Sequence, residues 1–142
     1  MRKILVAVDG SENALRALDV AAAQARLTPD GELHVLTVRH PASFYGALDF
    51  YMTEEQMREI ATRQVTAVLE AAAERAARSG VRFEIEQLEG EPAAAIADRA
   101  VELGCEAIVM GSHGRGQLGA FVLGSVAQRV VHHATVPVTL VK

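Results

Sequence analysis

No tryptophan occurs in this chain, and aromatic residues of every kind make up only 4% of it, so its core must be aliphatic. One cysteine, Cys105, excludes an internal disulfide, and nothing marks an oxidising compartment. Standing at the head of the apolar run Ala-Ile-Val-Met110, it reads as a small buried side chain rather than a reactive thiol. No apolar run approaches the roughly 20 residues that a membrane-crossing helix needs. The apolar stretch from Ile4 to Val8 meets Asp9 at once, unlike a signal peptide, and the expected location is the cytoplasm. Basic residues are not in excess: 14 Lys and Arg face 18 Asp and Glu, a net charge of -4. That argues against DNA or RNA as a partner, since either calls for a basic face. A single nucleotide is a different matter, because backbone amides can supply a local positive field on an acidic protein.

Half of the 142 residues are apolar, enough for one domain, 1–142, to bury a core without metal or disulfide. Short apolar runs alternate with helical patterns. Ile4 to Val8 is a strand candidate that ends at the turn signal Asp9-Gly-Ser11. Ser11 can cap a helix with the stripe Leu15, Leu18, Ala22, Ala25, and Pro29-Asp-Gly31 stops it. Glu32 to Val38 is the second strand. The stretch that follows, 39–52, carries Phe44, Tyr45, Phe50 and Tyr51, four of the six aromatic side chains. These could cover a ligand, contact a partner or pack in the core.

Thr53-Glu-Glu-Gln56 is a capping box opening a long helix that ends near Ser79-Gly80. Its apolar stripe is Met57, Ile60, Ala61, Val65, Val68, Leu69, Ala72 and Ala76. Val81 to Leu88 alternates apolar with polar, as a half-exposed edge strand does. Glu91-Pro92 starts a third helix and Gly104 ends it. Glu106 to Met110 is a fourth strand, Gly124 to Ala134 a fourth helix, and Val136-Pro-Val-Thr-Leu-Val141 the last strand. Five strands separated by helices, with no hairpin signal, demand parallel pairing and right-handed crossovers. The expected fold class is α/β: a three-layer, Rossmann-like domain with a parallel sheet ordered 3-2-1-4-5.

In such a sheet the ligand crevice lies beyond the strands' carboxyl ends, where the strand order reverses. The loops starting at Asp9 and Gly111 flank that point if the order is 3-2-1-4-5. From Gly111 to Gly124, five of the chain's eleven glycines fall within 14 positions, between a buried strand and a helix. Such a loop can form an anion nest, and the following helix adds its positive end. Ser125 at the helix start can cap it and also offer a hydroxyl to phosphate. Gly114-x-Gly116-x-x-Gly119 spells the dinucleotide fingerprint but follows the wrong strand, and no acid stands near position 139. Gly119-x4-Gly124-Ser125 imitates a phosphate loop without its lysine.

Taken whole, Gly111-x2-Gly114-x9-Gly124-Ser125 has the spacing of the ATP-binding motif of the universal stress protein family. Met110 before it, Val126 after it, the closing strand and the opening apolar strand with Asp9 and Gly-Ser agree, so the resemblance spans essentially the whole chain. It implies ATP, often with Mg or Mn. Asp9 matches an acid near base and ribose, and Val38 a residue whose backbone meets adenine. Gly111 and Gly114 match positions beside ribose and phosphates. Gly124, Ser125 and Val126 match those holding the phosphate tail, and Ala7 and Met110 line the same place. The resemblance also implies a homodimer paired through the final strand, Val136 to Val141, an apolar sheet edge in which Pro137 removes one amide.

Blander readings stand beside these. Asp9 could instead cap the first helix or accept loop amides. His113 and Arg115 could touch phosphate or be solvated. His132-His133 suits the end of a helix, and adjacent residues there do not share a face for a metal. With no committed general base and no loop lysine, the expected role is a nucleotide-dependent regulator or sensor in a stress response, with slow hydrolysis at most. A weak ATPase or nucleotide hydrolase with Asp9 on the metal is the alternative. Another is a dimeric interaction module that binds cyclic AMP, or no nucleotide.

Overall fold

Four parallel pairings set the architecture. In the computed structural model, which describes residues 2–40, 51–113 and 123–142, the strands are β1 (Lys3–Ala7), β2 (Glu32–Arg39), β3 (Arg82–Glu89), β4 (Ala107–Gly111) and β5 (Val138–Val141). Their order is β3-β2-β1-β4-β5, and every neighbour pair is parallel. The crossovers contain α1 (Glu12–Ala25), α2 (Glu54–Ser79), α3 (Pro92–Glu102) and α4 (Ser125–His133). This is the expected α/β sheet in the expected order.

Alternation along each strand divides the core in two. Ile4, Val6, Leu33, Val35 and Val109 pack with Ala14, Leu18 and Ala22 of α1 and Ala72 and Ala76 of α2. Leu5, Ala7, Leu36, Ile108 and Met110 pack on the other face with Ala93, Ile96 and Ala100 of α3 and Ala127 and Val130 of α4. Ile4, Leu5, Leu36 and Ile108 are fully buried, each contributing about 1.5–3 kcal/mol through lost water contact. The helix layers are built mainly of alanines, which bring the helix backbones close to the sheet.

Local signals act where the sequence places them. The Ser11 hydroxyl accepts the Ala14 amide at 3.3 Å. Thr53 and Gln56 exchange both capping-box bonds, at 3.1 and 2.9 Å. Gly80 closes α2 with φ at 74°, a left-handed turn that glycine adopts without steric cost. Glu91 caps α3 by accepting the Ala94 amide at 2.7 Å, and Pro92 fills the first helical position.

Some expectations need adjustment. The last strand starts at Val138, not Val136, because Pro137 pairs only through its carbonyl, which accepts the Ile108 amide at 2.9 Å. Of the long stripe expected on α2, only Ala61, Ala72 and Ala76 are fully buried, since the helix outruns the sheet it covers. Leu15 is only half-buried, and α1 turns Asn13, Ala14, Ala17 and Ala21 inward as well. Of the aromatic loop residues, Tyr51 is exposed, whereas Phe44, Tyr45 and Phe50 lie outside the described residues.

The sheet has two unlike edges. On β3, Arg82, Glu84, Gln87 and Glu89 face solvent. On β5 all four residues are apolar or Thr, and all are half-buried.

Candidate functional site

The strands β1 and β4 lie side by side at the centre, and the chain leaves them toward opposite faces of the sheet. The crevice this opens at their carboxyl ends is a cavity of about 320 Å³, within the range of small-molecule sites. Its floor is apolar: Ala7 from β1, Leu36 and Val38 from β2, and Met110 and Gly111 from β4. Pro92 and Ile96 of α3 form one wall, and Asp9, Ser11 and Ala14 of the first loop and helix form another. Gly124, Ser125, Val126 and Ala127, the start of α4, close the rim together with His113.

Eight of the nine residues singled out in the sequence therefore share one cavity: Ala7, Asp9, Val38, Met110, Gly111, Gly124, Ser125 and Val126. The ninth, Gly114, lies outside the described residues, as do Arg115, Gly116 and Gly119. His113 also lines the cavity. Sequence reasoning passed over Leu36, Pro92 and Ile96. Leu36 had a signal, since it precedes Val38 by two and shares its face; the α3 residues had none, because only the crossover brings them there.

The start of α4 differs from the expectation in one respect. Gly124 is the N-cap, with no side-chain cap, and Ser125 is the first helical residue rather than the cap. The Gly124 amide donates to the Ser112 carbonyl at 2.8 Å, and the helix ladder begins with the Gln128 amide on the Gly124 carbonyl at 3.0 Å. The amides of Ser125, Val126 and Ala127 precede that ladder, so they have no acceptor within the helix. They belong to residues that line the cavity, and the positive end of the helix dipole lies with them. That rim suits an anion, and the floor suits a flat apolar group.

Asp9 behaves as the blander reading foresaw, without leaving the cavity. Its Oδ1 accepts the Ser11 amide at 2.9 Å and the Ser11 hydroxyl at 2.5 Å, fixing the turn between β1 and α1. Among the described residues no three His, Cys, Asp or Glu side chains converge to hold a metal ion. His132 and His133 stack edge to face with each other at the end of α4, far along the helix from the cavity rim.

On the face of the sheet that carries the floor, a polar cluster anchors α3. His34, two residues before Leu36, is buried, and its Nε2–H donates to the Glu86 carboxylate at 2.5 Å. Arg99 of α3 donates to the same carboxylate oxygen at 2.9 Å and to Glu102 at 3.0 Å. Burial would raise the Glu86 carboxyl, but the hydrogen bonds from Arg99 and His34 outweigh it and hold the group below its usual range. Its bonds to Glu86 and Glu102 push the Arg99 guanidinium upward. At the other end of α3, Glu91 pairs with Arg129 of α4, tying together the two helices that flank the crevice. Cys105 is buried behind this face, and desolvation raises its thiol.

Comparison with known proteins matches the whole chain, residues 1–142, to the universal stress protein family. The universal stress protein YxiE of Bacillus subtilis is 36% identical over 148 residues, spanning 99% of this chain and 98% of its own. Among solved structures, the protein MJ0577 superposes with a TM-score of 0.82 at 28% identity, over 99% of this chain and 95% of that one. A universal stress protein in complex with cAMP gives 0.71 at 25% identity, over 99% and 96%. One from Archaeoglobus fulgidus in complex with dAMP gives 0.70 at 28% identity, over 100% and 98%.

Proposed function

This chain belongs to the universal stress protein family, and from that premise we propose that it binds ATP in the cavity between β1 and β4 and acts as a nucleotide-dependent regulator in a stress response. The observation that carries this reading is the convergence of Ala7, Asp9, Val38, Met110, Gly111, Gly124, Ser125 and Val126 on one cavity with an apolar floor and a helix N-terminus at its rim. Adenine takes the apolar floor of Leu36 and Val38, beside Ile96 of the α3 wall. The phosphates take the amides of Ser125 and Val126 and the Ser125 hydroxyl, as anions do at helix N-termini. Gly114, which the resemblance sets beside the phosphates, lies outside the described residues.

Asp9, the carboxylate among the described lining residues, would hold Mg or Mn beside the phosphates. Such ions use one or two carboxylates and otherwise phosphate oxygens. A bound ion would offset phosphate charge that no lysine of the loop neutralises. The glycine loop contains no lysine at all, which favours a regulator that hydrolyses ATP slowly over a fast nucleotide hydrolase. The protein works as a single-domain homodimer joined through β5, in the cytoplasm.

A second reading follows from the two relatives solved with cAMP and dAMP: the physiological ligand is an adenine monophosphate. Mass spectrometry of the denatured purified protein, with calorimetry against ATP plus Mg, cAMP and dAMP, separates the two. ATP recovered from the protein, and binding abolished in Gly124→Val and Gly114→Val variants that remain folded, is the expected result. Unchanged affinity in those variants, or no binding of any adenine nucleotide, overturns the assignment.

A further inference from the structure

Asn13 is the most deeply buried polar residue among the described residues, at 2% exposure on the inner face of α1. Its Nδ2 donates to the His113 carbonyl at 2.5 Å and lies 3.5 Å from both the Val141 carbonyl and His113 Nδ1. It stands in the first turn of α1, two residues after the Ser11 cap, and a buried amide is costly unless its bonds are made. This one reaches across from α1 to the point where the chain leaves β4.

The same side chain accounts for Gly111. A Cβ on Gly111 would stand 2.5 Å from Asn13 Nδ2 and 2.8 Å from its Cγ. The bare face of Gly111 is therefore filled by Asn13 of this chain. Immediately downstream, the Ser112 amide donates to the Val141 carbonyl and the Ser112 carbonyl accepts the Gly124 amide, both at 2.8 Å. Ser112 and His113, which lead into the glycine loop, are thus held by α1, β5 and the start of α4 at once.

We propose that Asn13 is a positioning residue for nucleotide binding, acting through the His113 carbonyl to fix the direction in which the chain enters the glycine loop. The inference rests on the cavity's being the nucleotide site. Its second part is that Gly111 lacks a side chain in order to admit Asn13. Releasing the His113 carbonyl lets His113, a residue of the cavity wall, turn away from its place at the rim.

The test is a double-mutant cycle of Asn13→Ala and Gly111→Ala, read by calorimetry with ATP plus Mg and by thermal melting. Asn13→Ala should bind about tenfold more weakly, the size of one lost buried hydrogen bond. Gly111→Ala should lower the melting temperature more in the wild-type background than beside Asn13→Ala, where the slot is empty. The double variant should regain part of its stability while its affinity stays low, a split that a merely space-filling Asn13 would not produce. Wild-type affinity in folded Asn13→Ala, or in the double variant, overturns the positioning role. Additive melting shifts overturn the account of Gly111. Should Asn13→Ala not fold, Asn13→Asp keeps the shape and removes the donor, and its affinity decides. If the wild-type protein itself takes up no ATP, the nucleotide reading and the positioning role fall together, while the melting cycle still judges the Gly111 slot separately.

Discussion

Replacing Glu86 by alanine removes the shared acceptor of the cluster that holds α3 against the sheet. His34 is the partner that suffers, because its side chain is 6% exposed and water cannot replace the carboxylate. Arg99 keeps Glu102 and reaches solvent, so the cost is set by one buried donor left unpaired, about 2 kcal/mol. For a chain of this length that lowers the melting temperature by roughly 6–10 °C. The Glu86→Gln variant isolates the charge. Because the Glu86 carboxyl is held below its ordinary 4.5 in the folded state, its stabilisation is complete above that value and fades as the pH falls through the lower folded value. The stability gap between wild type and Glu86→Gln should therefore hold above about pH 4.5 and narrow progressively as the solution is made more acidic than that. Urea unfolding followed by far-ultraviolet circular dichroism measures both effects, since the chain has no tryptophan to report by fluorescence. An alanine variant as stable as wild type at neutral pH, or a glutamine gap indifferent to acid, would refute the reasoning.

Three further outcomes are expected. Leu36→Ala, at a fully buried position that is both core and cavity floor, should cost about 2–5 kcal/mol in denaturant unfolding and weaken ATP binding in calorimetry; a loss of stability with full affinity would separate the floor from the ligand. Gly31→Ala places a Cβ 1.9 Å from the Ala25 carbonyl oxygen, so the turn between α1 and β2 must shift, and the urea midpoint should fall by about 1–3 kcal/mol equivalent. Cys105, whose thiol is raised by burial, should react with a thiol-specific disulfide reagent at mildly alkaline pH only as the protein unfolds; rapid reaction in native buffer would contradict its burial.

The parts of the fold legible in the sequence are those fixed by local chemistry. Thr53 and Gln56, Gly80, and Glu91 with Pro92 announce helix ends because caps and left-handed turns depend on residues a few positions apart. Parallel pairing followed from the crossovers and the absence of hairpins, whereas the strand order is one of several that such crossovers permit. The site was legible to the extent that it lies on loops leaving β1 and β4. Ile96 and Pro92 were hidden because α3 reaches the crevice only through tertiary packing. Asn13 was hidden for another reason: its neighbours form an apolar stripe, and nothing local shows that the partner of a helical asparagine lies 100 residues downstream. Gly111 was assigned to the ligand, and it does line the cavity, but the contact that forbids its side chain comes from α1. The start of β5 was misjudged by two residues because apolar composition does not distinguish a paired residue from an approach segment.

The contrast between the sheet's two margins has a consequence for assembly. An incoming strand at β3 would meet Arg82, Glu84, Gln87 and Glu89 in solvent, and shedding water from that row opposes docking. At β5 the margin is four residues long, mostly aliphatic and already half-dry. Extension of the sheet is therefore one-sided. Two copies that met margin to margin about a twofold axis would use up the only receptive side on each, leaving charged borders outermost. Growth would stop at a pair, so the polarity of a single sheet guards this molecule against running on into a fibre.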